Sequence, residues 1–382
     1  MSEITPLSLK SDAAAIADLK ERLARTRWPT PETVEDWSQG VPVAYAKELA
    51  EYWRTEYDWA ARLAQLGRFD HFTTEIDGLD IHFLHKRSEV AGARPLLLSH
   101  GWPGSVFEFL DVINPLTDPV AHGGRAEDAY HVVCPSLPGF GLSGKPKETG
   151  WGAMKIAEAW NTLMARLGYD RYFAQGGDWG SIITAAIGHQ NLGQCAGLHL
   201  NMLVAVPPAE FFASPTPEDQ AALVAAQYHQ DHGMGYAIQQ RTRPQTMSYG
   251  LVDSPVAQLS WIVEKFWAWT DNDGHPESAI SRDDMLDTVS LYWFTGSGAS
   301  SAKLYWESFG NPFGGADLKV ELPMGYSKFP KEIVPAPRSW AEPFFEHLVY
   351  YGEPARGGHF AALEQPKLFV DELRACFSKM SL

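Results

Sequence analysis

The chain has 382 residues, of which 45% are hydrophobic and 20% charged, a composition typical of a globular protein with one sizeable domain plus additions, or with two domains. Its formal net charge of −16 argues against nucleic acid and anionic membrane surfaces, because both would repel it. Three cysteines occur without a C-x-x-C pair, no signal peptide is evident, and no run approaches the roughly 18 apolar residues of a membrane span. We therefore expect a soluble, cytoplasmic protein with reduced thiols and no metal site; the oligomeric state is left open.

The first ninety residues are predicted to be helical and then extended. Ser11 or Asp12 can cap a first helix, and a second helical stretch runs from about 43 to 66. Residues 71–87 alternate apolar and polar side chains on both sides of an Asp77-Gly78 turn, which predicts a β-hairpin. We interpret residues 1–90 as a structural N-terminal region without catalytic residues.

From residue 91 the pattern changes to short apolar runs separated by helical stretches. The predicted strands cover residues 95–100, 130–136, 171–175, 196–203, 319–327 and 347–353. This alternation predicts an α/β fold with a doubly wound, mostly parallel sheet. A stretch rich in Trp, Tyr, Gln and Met interrupts it, so we assign residues 91–206 and 311–382 to the core and 207–310 to a helical cap over the carboxyl edge of the sheet.

The segment "GGDWG" lies between a predicted strand and a predicted helix, and its centre is Asp178. It has the form of the turn that presents a nucleophilic serine in many hydrolases, with a carboxylate in place of the serine. The flanking glycines allow a strained corner, and the N-terminus of the following helix favours an ionised carboxylate. The spacing therefore predicts that Asp178 is a nucleophile.

A carboxylate nucleophile attacks an sp³ carbon that carries a good leaving group and forms an ester, so epoxides and alkyl halides are candidate substrates whereas peptides are not. Hydrolysis of that ester requires a base to activate water and an acid to orient the base. His359, in "ARGGHFAALEQP" after the last predicted strand, is the candidate base. The candidate acids are Glu332, Glu342, Glu346 and Glu353, and the position of Glu332 directly after the penultimate strand favours it.

The segment His100-Gly101-Trp102-Pro103 follows the first strand of the predicted core. A turn at this position can direct backbone N–H groups at the negative charge that develops during ester hydrolysis, together with the N–H of Trp179. We therefore predict an oxyanion hole here, with the side chain of Trp102 forming part of the pocket wall.

Taken together, these segments resemble the microsomal-type epoxide hydrolases of the α/β-hydrolase superfamily, and the resemblance covers nearly the whole chain. It is carried in order by "HGWP", "PSLPGFGLS", "GGDWG", "YAIQQRTRPQT", "DSPVAQLSWIVEKF", "LYWFTG", "GYSKFPKE" and "RGGHFAALEQP". The membrane-anchored members carry an apolar segment at the front that is not seen in this sequence.

The resemblance implies an α/β-hydrolase fold with no cofactor and no metal, acting on a small apolar epoxide and water. It also implies that residues 1–90 are the N-terminal region that wraps the core in this family. It implies that Asp178 is the nucleophile, His359 the base and Glu332 the acid. It also places two cap tyrosines, Tyr236 and Tyr305, where they would hold the epoxide oxygen and protonate the alkoxide.

Two alternatives remain at this point. A haloalkane dehalogenase shares the aspartate turn, but a halide leaves without a proton and does not need the tyrosines. A ligand-binding protein on the same fold would typically lack one of the three catalytic residues. Aromatic residues of the cap suggest an apolar substrate, although they would equally serve to pack the cap: Trp261, Phe266, Trp267, Trp269, Trp293 and Phe294.

Overall fold

The computed structural model describes residues 3–203, 214–310 and 318–382. Within these ranges the strands are β1 (Thr5–Pro6), β2 (His71–Ile76), β3 (Leu79–Lys86), β4 (Arg94–Ser99), β5 (Tyr130–Pro135), β6 (Tyr172–Gly176), β7 (Cys195–Leu200), β8 (Met324–Ser327) and β9 (Leu348–Gly352). They form one sheet in the order β1-β2-β3-β5-β4-β6-β7-β8-β9. Strands β4 to β9 are parallel, whereas β1, β2 and β3 pair antiparallel, so the prediction of a mostly parallel sheet is confirmed.

The described helices in chain order are α1 (Ala13–Ala24), α2 (Val43–Thr55), α3 (Trp59–Leu66), α4 (Leu110–Thr117), α5 (Ala153–Arg166), α6 (Trp179–Gln190), α7 (Pro217–Tyr228), α8 (Gly235–Thr242), α9 (Pro244–Asp253), α10 (Pro255–Trp269), α11 (Arg282–Thr295), α12 (Ser297–Ser300), α13 (Lys303–Ser308), α14 (Arg338–Ala341), α15 (Ala361–Glu364) and α16 (Pro366–Phe377). Helices α7 to α13 lie between β7 and β8, in the segment predicted as the cap, and are called the cap below. None of the described helices combines the length and the apolar character needed to cross a bilayer.

The chain reverses direction across the sheet at β4. From β4 it passes through α4 to β5 on one side, and from β5 it passes through α5 to β6 on the other side of β4. Such crossovers are right-handed. Because the two crossovers run in opposite directions along the sheet, α4 lies on one face of the sheet and α5 on the other. Ligands of open α/β sheets bind at the carboxyl edge beside such a reversal, which here lies between the ends of β4 and β6.

The N-terminal region contributes three strands to the same sheet. The predicted hairpin is confirmed: β2 and β3 pair across a two-residue turn at Asp77-Gly78, and β3 then pairs with β5. Asp12 is the N-cap of α1, and it is one of the two residues predicted for this position. The single helix expected over 43–66 is wrong, because the chain breaks after α2 and the side chain of Asp58 accepts a hydrogen bond from the Ala61 amide to start α3.

The strand expected over 319–327 is also too long. Only Met324–Ser327 is in the ladder, since Pro323 has no amide hydrogen to donate to a neighbouring strand, and Val320 forms an isolated bridge.

The predicted cap boundaries at 206/207 and 310/311 fall in or beside 204–213 and 311–317, which are outside the described residues, so the division into three parts stays a prediction. Cys134, Cys195 and Cys376 are buried free thiols.

Candidate active site

Asp178 lies at the corner between β6 and α6. Its backbone has φ 51° and ψ −129°, a strained conformation for a residue with a side chain. Helix α6 approaches β4 so closely that a Cβ on Gly180 would lie 2.0 Å from the backbone oxygen of Ser99. Asp178 occupies the N-cap position of α6, but its carboxylate forms no capping hydrogen bond. The carboxylate is therefore turned away from its own helix and toward the carboxyl edge of the sheet.

The two carboxylate oxygens of Asp178 have different partners. Oδ1 accepts a hydrogen bond from the backbone N–H of Trp102 at 2.7 Å, and Oδ2 lies 3.2 Å from Nε2 of His359. This approach requires Gly101, because a Cβ there would lie 2.1 Å from Oδ1. The Asp178 side chain is 14% exposed. One oxygen is thus held by a backbone donor while the other remains beside an imidazole.

The four residues of the predicted oxyanion turn are not equivalent. Trp102 provides the donor on Asp178, and the following bond to Pro103 is cis. His100 is hydrogen-bonded within the turn instead: its Nδ1 is 2.9 Å from its neighbour's carbonyl oxygen, and its Nε2 accepts from the Leu137 amide at 3.3 Å. Burial lowers the pKa of His100 to about 4. His100 therefore stabilises the turn as a neutral ring.

His359 lies between two carboxylates. Its Nδ1 is 2.7 Å from Oε1 of Glu332, and both side chains are almost completely buried. Burial lowers the pKa of His359, but the negative charges of Glu332 and Asp178 outweigh burial and raise it well above its ordinary value. The structure thus brings together the three residues predicted as a catalytic set.

The other candidate acids lie elsewhere. Glu342 forms an ion pair with Arg338, and Glu353 forms one with Lys328. Glu346 is exposed. Among the candidates that the sequence left open, only Glu332 contacts His359.

The loop that carries His359 is held by a carboxylate that the sequence did not single out. Glu364 accepts hydrogen bonds from the backbone N–H groups of Asp271, Gly358 and Phe360, at 2.7, 3.0 and 3.0 Å. Burial raises the pKa of Glu364 to about 7. Its position in "GGHFAALE" gives no indication of these partners, since a carboxylate that binds backbone amides needs no particular side-chain pattern.

Two buried tyrosines from the cap complete the site. Tyr236 stacks on Trp102, with ring centroids 4.9 Å apart and planes at 11°, and Tyr305 packs edge-on against Trp102 and Trp179. The two phenol rings lie 5.7 Å apart. Burial, with the charge of Asp178 adding to it, raises the pKa of Tyr236 and keeps its phenol protonated. The pKa of Tyr305 is likewise raised by burial, and the nearby Tyr236 and Asp178 raise it further.

A buried lysine lies beside one of these phenols and was missed by sequence reasoning. The ammonium group of Lys265 is 4.4 Å from the ring centroid of Tyr236 and also pairs with Glu264. Burial lowers the pKa of Lys265. The only signal in the sequence is a single cation within the aromatic run of α10.

Among the described residues, no group of three or more His, Cys, Asp or Glu side chains is arranged to hold a metal ion.

Comparison with known proteins identifies the family. Residues 4–109 match the family model described as the epoxide hydrolase N terminus, and residues 94–252 match the alpha/beta hydrolase fold. A Stigmatella aurantiaca protein, provisionally named an epoxide hydrolase, is 55% identical over 377 residues, covering 99% of this chain and 85% of that protein. Epoxide hydrolase 1 of Sus scrofa is 35% identical over 398 residues, covering 97% and 88%. The chain belongs to the epoxide hydrolase family.

Solved structures of epoxide hydrolases are similar over almost their whole length. The Aspergillus niger epoxide hydrolase has a TM-score of 0.90 and 32% identity, covering 99% of this chain and 97% of that one. The juvenile hormone epoxide hydrolase of Bombyx mori has a TM-score of 0.92 and 32% identity, covering 99% and 95%. The expected α/β-hydrolase fold is thus confirmed. Like its family, this epoxide hydrolase converts an epoxide to a vicinal diol through an aspartyl ester.

Proposed function

We propose that Asp178 is the nucleophile of this epoxide hydrolase, with His359 as base, Glu332 as the orienting acid and the two cap tyrosines as proton donors. The observation that carries this assignment is the placement of the Asp178 carboxylate. One oxygen accepts from Trp102 N–H, and the other faces a histidine backed by a buried glutamate. Two buried phenols lie above the same indole ring.

In the first step, Oδ2 of Asp178 attacks an epoxide carbon and the carbon–oxygen bond opens. Tyr236 or Tyr305 donates a proton to the departing oxygen. A phenol can do this because it is a stronger acid than the alcohol that forms when the alkoxide is protonated. Esterification removes the charge of Asp178, one of the two charges that raise the pKa of His359. The imidazolium therefore releases its proton, which restores the tyrosine, and becomes a neutral base.

In the second step, His359 takes a proton from water, and the water oxygen attacks the carbonyl carbon of the ester. The negative charge develops on Oδ1, which keeps the hydrogen bond from Trp102 N–H; the N–H of Trp179 is the second proposed donor. When the ester bond breaks, the product alkoxide takes up the remaining water proton. The cycle ends with Asp178 ionised and His359 protonated, as in the resting enzyme.

The substrate we propose is a small apolar epoxide. A cavity of ≈ 710 Å³ reaches Tyr236, and its wall combines the Glu264–Lys265 ion pair with aromatic side chains from the N-terminal region and the cap: Trp37, Tyr228, Trp261 and Trp267. Such walls favour apolar ligands with few polar groups. We also propose a cytoplasmic location, since the three buried cysteines are unpaired, as is usual in a reducing compartment.

Single-turnover labelling tests the covalent mechanism directly. With excess enzyme in ¹⁸O-water, the first diol should be unlabelled, because its new oxygen comes from Asp178, and the label should be found by peptide mass spectrometry in the Asp178 carboxylate. After many turnovers the diol should carry the label. If Asp178 instead acted as a base for direct attack by water, the first diol would already be labelled, and the assignment would be wrong.

A trapping variant provides the matched control. In His359→Gln the ester should still form but should not be hydrolysed, so intact-protein mass spectrometry should show an adduct of the substrate mass. An unmodified protein that retains normal turnover would remove His359 from the mechanism.

A further inference from the structure

Two cavities near the Asp178 carboxylate share part of their walls, and Asp178 itself lines only the smaller one. The smaller one, here called the inner cavity, has a volume of ≈ 20 Å³ and is lined by Asp178, His359, Gly104 and Glu108, among others. A cavity of this size accommodates about one water molecule. Neither Tyr236 nor Tyr305 is among its described lining residues, so the inner cavity lies apart from the phenols that would receive the epoxide oxygen.

The second cavity, here called the outer cavity, has a volume of ≈ 120 Å³ and has room for several water molecules. It lies between the N-terminal region, the segment that precedes α4, and cap helix α11. Its wall is mainly polar, with Arg62, Gln65, Asp284, Asp287 and Thr288 among the lining residues. Polar walls of this kind provide the two to four hydrogen-bond partners that a buried water needs.

Glu108 and Ala362 line both cavities. The carboxylate of Glu108 occupies the space next to Gly104, where a Cβ would lie 1.7 Å from its Oε1. Oε1 accepts a hydrogen bond from the Ser105 amide at 3.2 Å, whereas Oε2 accepts none from the residues that the structure describes. Burial raises the pKa of Glu108 to about 8; the charge of Asp178 also raises it, and His359 lowers it. The mechanism proposed above gives this half-buried acid no task.

We propose that Glu108 holds the water that hydrolyses the Asp178 ester and that the outer cavity supplies this water past Glu108 and Ala362. The inference rests on the proposed function, because it concerns only the second half-reaction. Glu108 is a positioning residue in this scheme. Its free oxygen forms a hydrogen bond with the water, a water O–H faces Nε2 of His359, and the water oxygen is directed at the ester carbon.

This arrangement separates the entry of water from the entry of the epoxide. The proton balance is unchanged: His359 takes one proton from the water, and the product alkoxide takes the other when the ester bond breaks. Glu108 gains and loses no proton in the cycle. Water can therefore be replaced after each turnover while the product still occupies the space beneath the cap tyrosines.

The test compares Glu108→Leu with Glu108→Gln, which retains the shape and one acceptor oxygen. In single turnovers with excess enzyme, the rate of ester formation should be unchanged in both, and ester hydrolysis should be slowed about tenfold or more in Glu108→Leu and less in Glu108→Gln. In the steady state kcat and KM should fall together while kcat/KM stays constant. Glu89→Leu, on an exposed loop, is the matched control and should match the native rates.

Thr288→Leu tests the supply route separately, because it fills part of the outer cavity and leaves Glu108 in place. It should also slow hydrolysis without slowing ester formation, and native hydrolysis in this variant would overturn the supply route. Native hydrolysis in Glu108→Leu, or in Glu108→Gln if the leucine variant does not fold, would overturn the role of Glu108, as would an equal slowing of both half-reactions. Failure of the native enzyme and of folded His359→Gln to form an ester would instead overturn the proposed function.

Discussion

The charge of His359 depends on the two carboxylates that flank its ring. Because Asp178 and Glu332 together raise the pKa of His359, a neutral amide at 178 should lower that pKa, as we propose for the Asp178 ester. We therefore expect the pKa of His359 to be lower in Asp178→Asn than in the native enzyme. Titration of the imidazole by NMR measures this difference, and mass spectrometry verifies that the asparagine is intact.

Glu332→Gln is the companion variant for this measurement. It removes the other charge and should lower the pKa of His359 as well, whereas Glu342→Gln, at an exposed carboxylate paired with Arg338, should not change it. An unchanged pKa in Asp178→Asn would mean that esterification does not convert His359 into a base.

The phenols of Tyr236 and Tyr305 should act in ester formation only. Replacing both by Phe should slow ester formation in a single turnover by roughly 10²–10⁴, the usual contribution of a general acid, and each single replacement should slow it less. The phenylalanine rings keep the packing on Trp102, so the melting temperature should change little. Tyr249→Phe, at a tyrosine that is 69% exposed, is the control. Native rates of ester formation in the double variant would contradict the assignment.

Among the local elements, the loop before α15 depends on a single carboxylate. Glu364→Gln should weaken the hold on three backbone N–H groups, because one of the two acceptor oxygens becomes an NH₂ group. Leaving a buried donor unsatisfied costs about 1–3 kcal/mol. We expect a lower free energy of unfolding and, because His359 is displaced, a larger loss in ester hydrolysis than in ester formation.

Urea denaturation and single-turnover kinetics on the same variant measure both effects. Glu346→Gln, at an exposed carboxylate, should leave both unchanged. If Glu364→Gln lowered stability but slowed the two half-reactions equally, Glu364 would support the fold without positioning His359.

The sequence predicted those elements whose backbone imposes a requirement on residue type. The strained corner at Asp178 needs glycine neighbours, and the two-residue hairpin turn needs Asp77-Gly78, so both were visible in the sequence. The break between α2 and α3 was missed, since the helical pattern continues through it and only the Asp58 cap ends it. The pairing of β3 with β5 was also missed, because residues distant in sequence determine it.

The residues that we propose as catalytic were predictable from the sequence to a similar extent as the structural elements. Asp178, Glu332 and His359 each follow a strand of one sheet, so their meeting at its carboxyl edge follows from the fold. Tyr236 and Tyr305 came from the resemblance alone. Sequence reasoning missed Glu108, Glu364 and Lys265. Glu108 borders a cavity and accepts from a backbone amide, Glu364 accepts from backbone amides, and Lys265 lies over an aromatic ring. None of these contacts requires a recognisable spacing in the sequence.

In the whole molecule, the N-terminal region joins the cap through polar contacts of α2, α3 and the turn between them with α11. Trp53 donates to Ser290, and Tyr57 and Arg62 both donate to Asp287. The Asp287 side chain is 2% exposed and that of Arg62 17%. Because the same N-terminal region also contributes strands to the sheet, it holds the cap at a fixed position above Asp178.

Removing the cation of this contact should destabilise the protein in a pH-dependent way. Arg62→Met leaves Asp287 buried without its counter-charge and should lower the free energy of unfolding by about 3–5 kcal/mol near pH 8. Burial already raises the pKa of Asp287 to about 6, and loss of Arg62 should raise it further. The folded state then binds a proton that the unfolded state does not, so the destabilisation should be smaller near pH 5.

Urea denaturation at the two pH values measures this difference. Arg54→Met is the matched control, since Arg54 pairs with Glu51 at an exposed position and its removal should matter little at either pH. A loss of stability in Arg62→Met that is the same at both pH values would show that Asp287 carries no charge in the native protein.

The contact between the N-terminal region and the cap also constrains the order in which the chain can fold during synthesis. The donors to α11, which lie in α2, α3 and the turn between them, precede their acceptors by 222 to 237 positions. At ~5–20 residues per second, a ribosome needs about 10–50 s to make that length of chain. During this interval α2 and α3 have no cap helix to pack against. The nascent protein therefore exposes the surface of these two helices that later contacts the cap, and a chaperone would bind it.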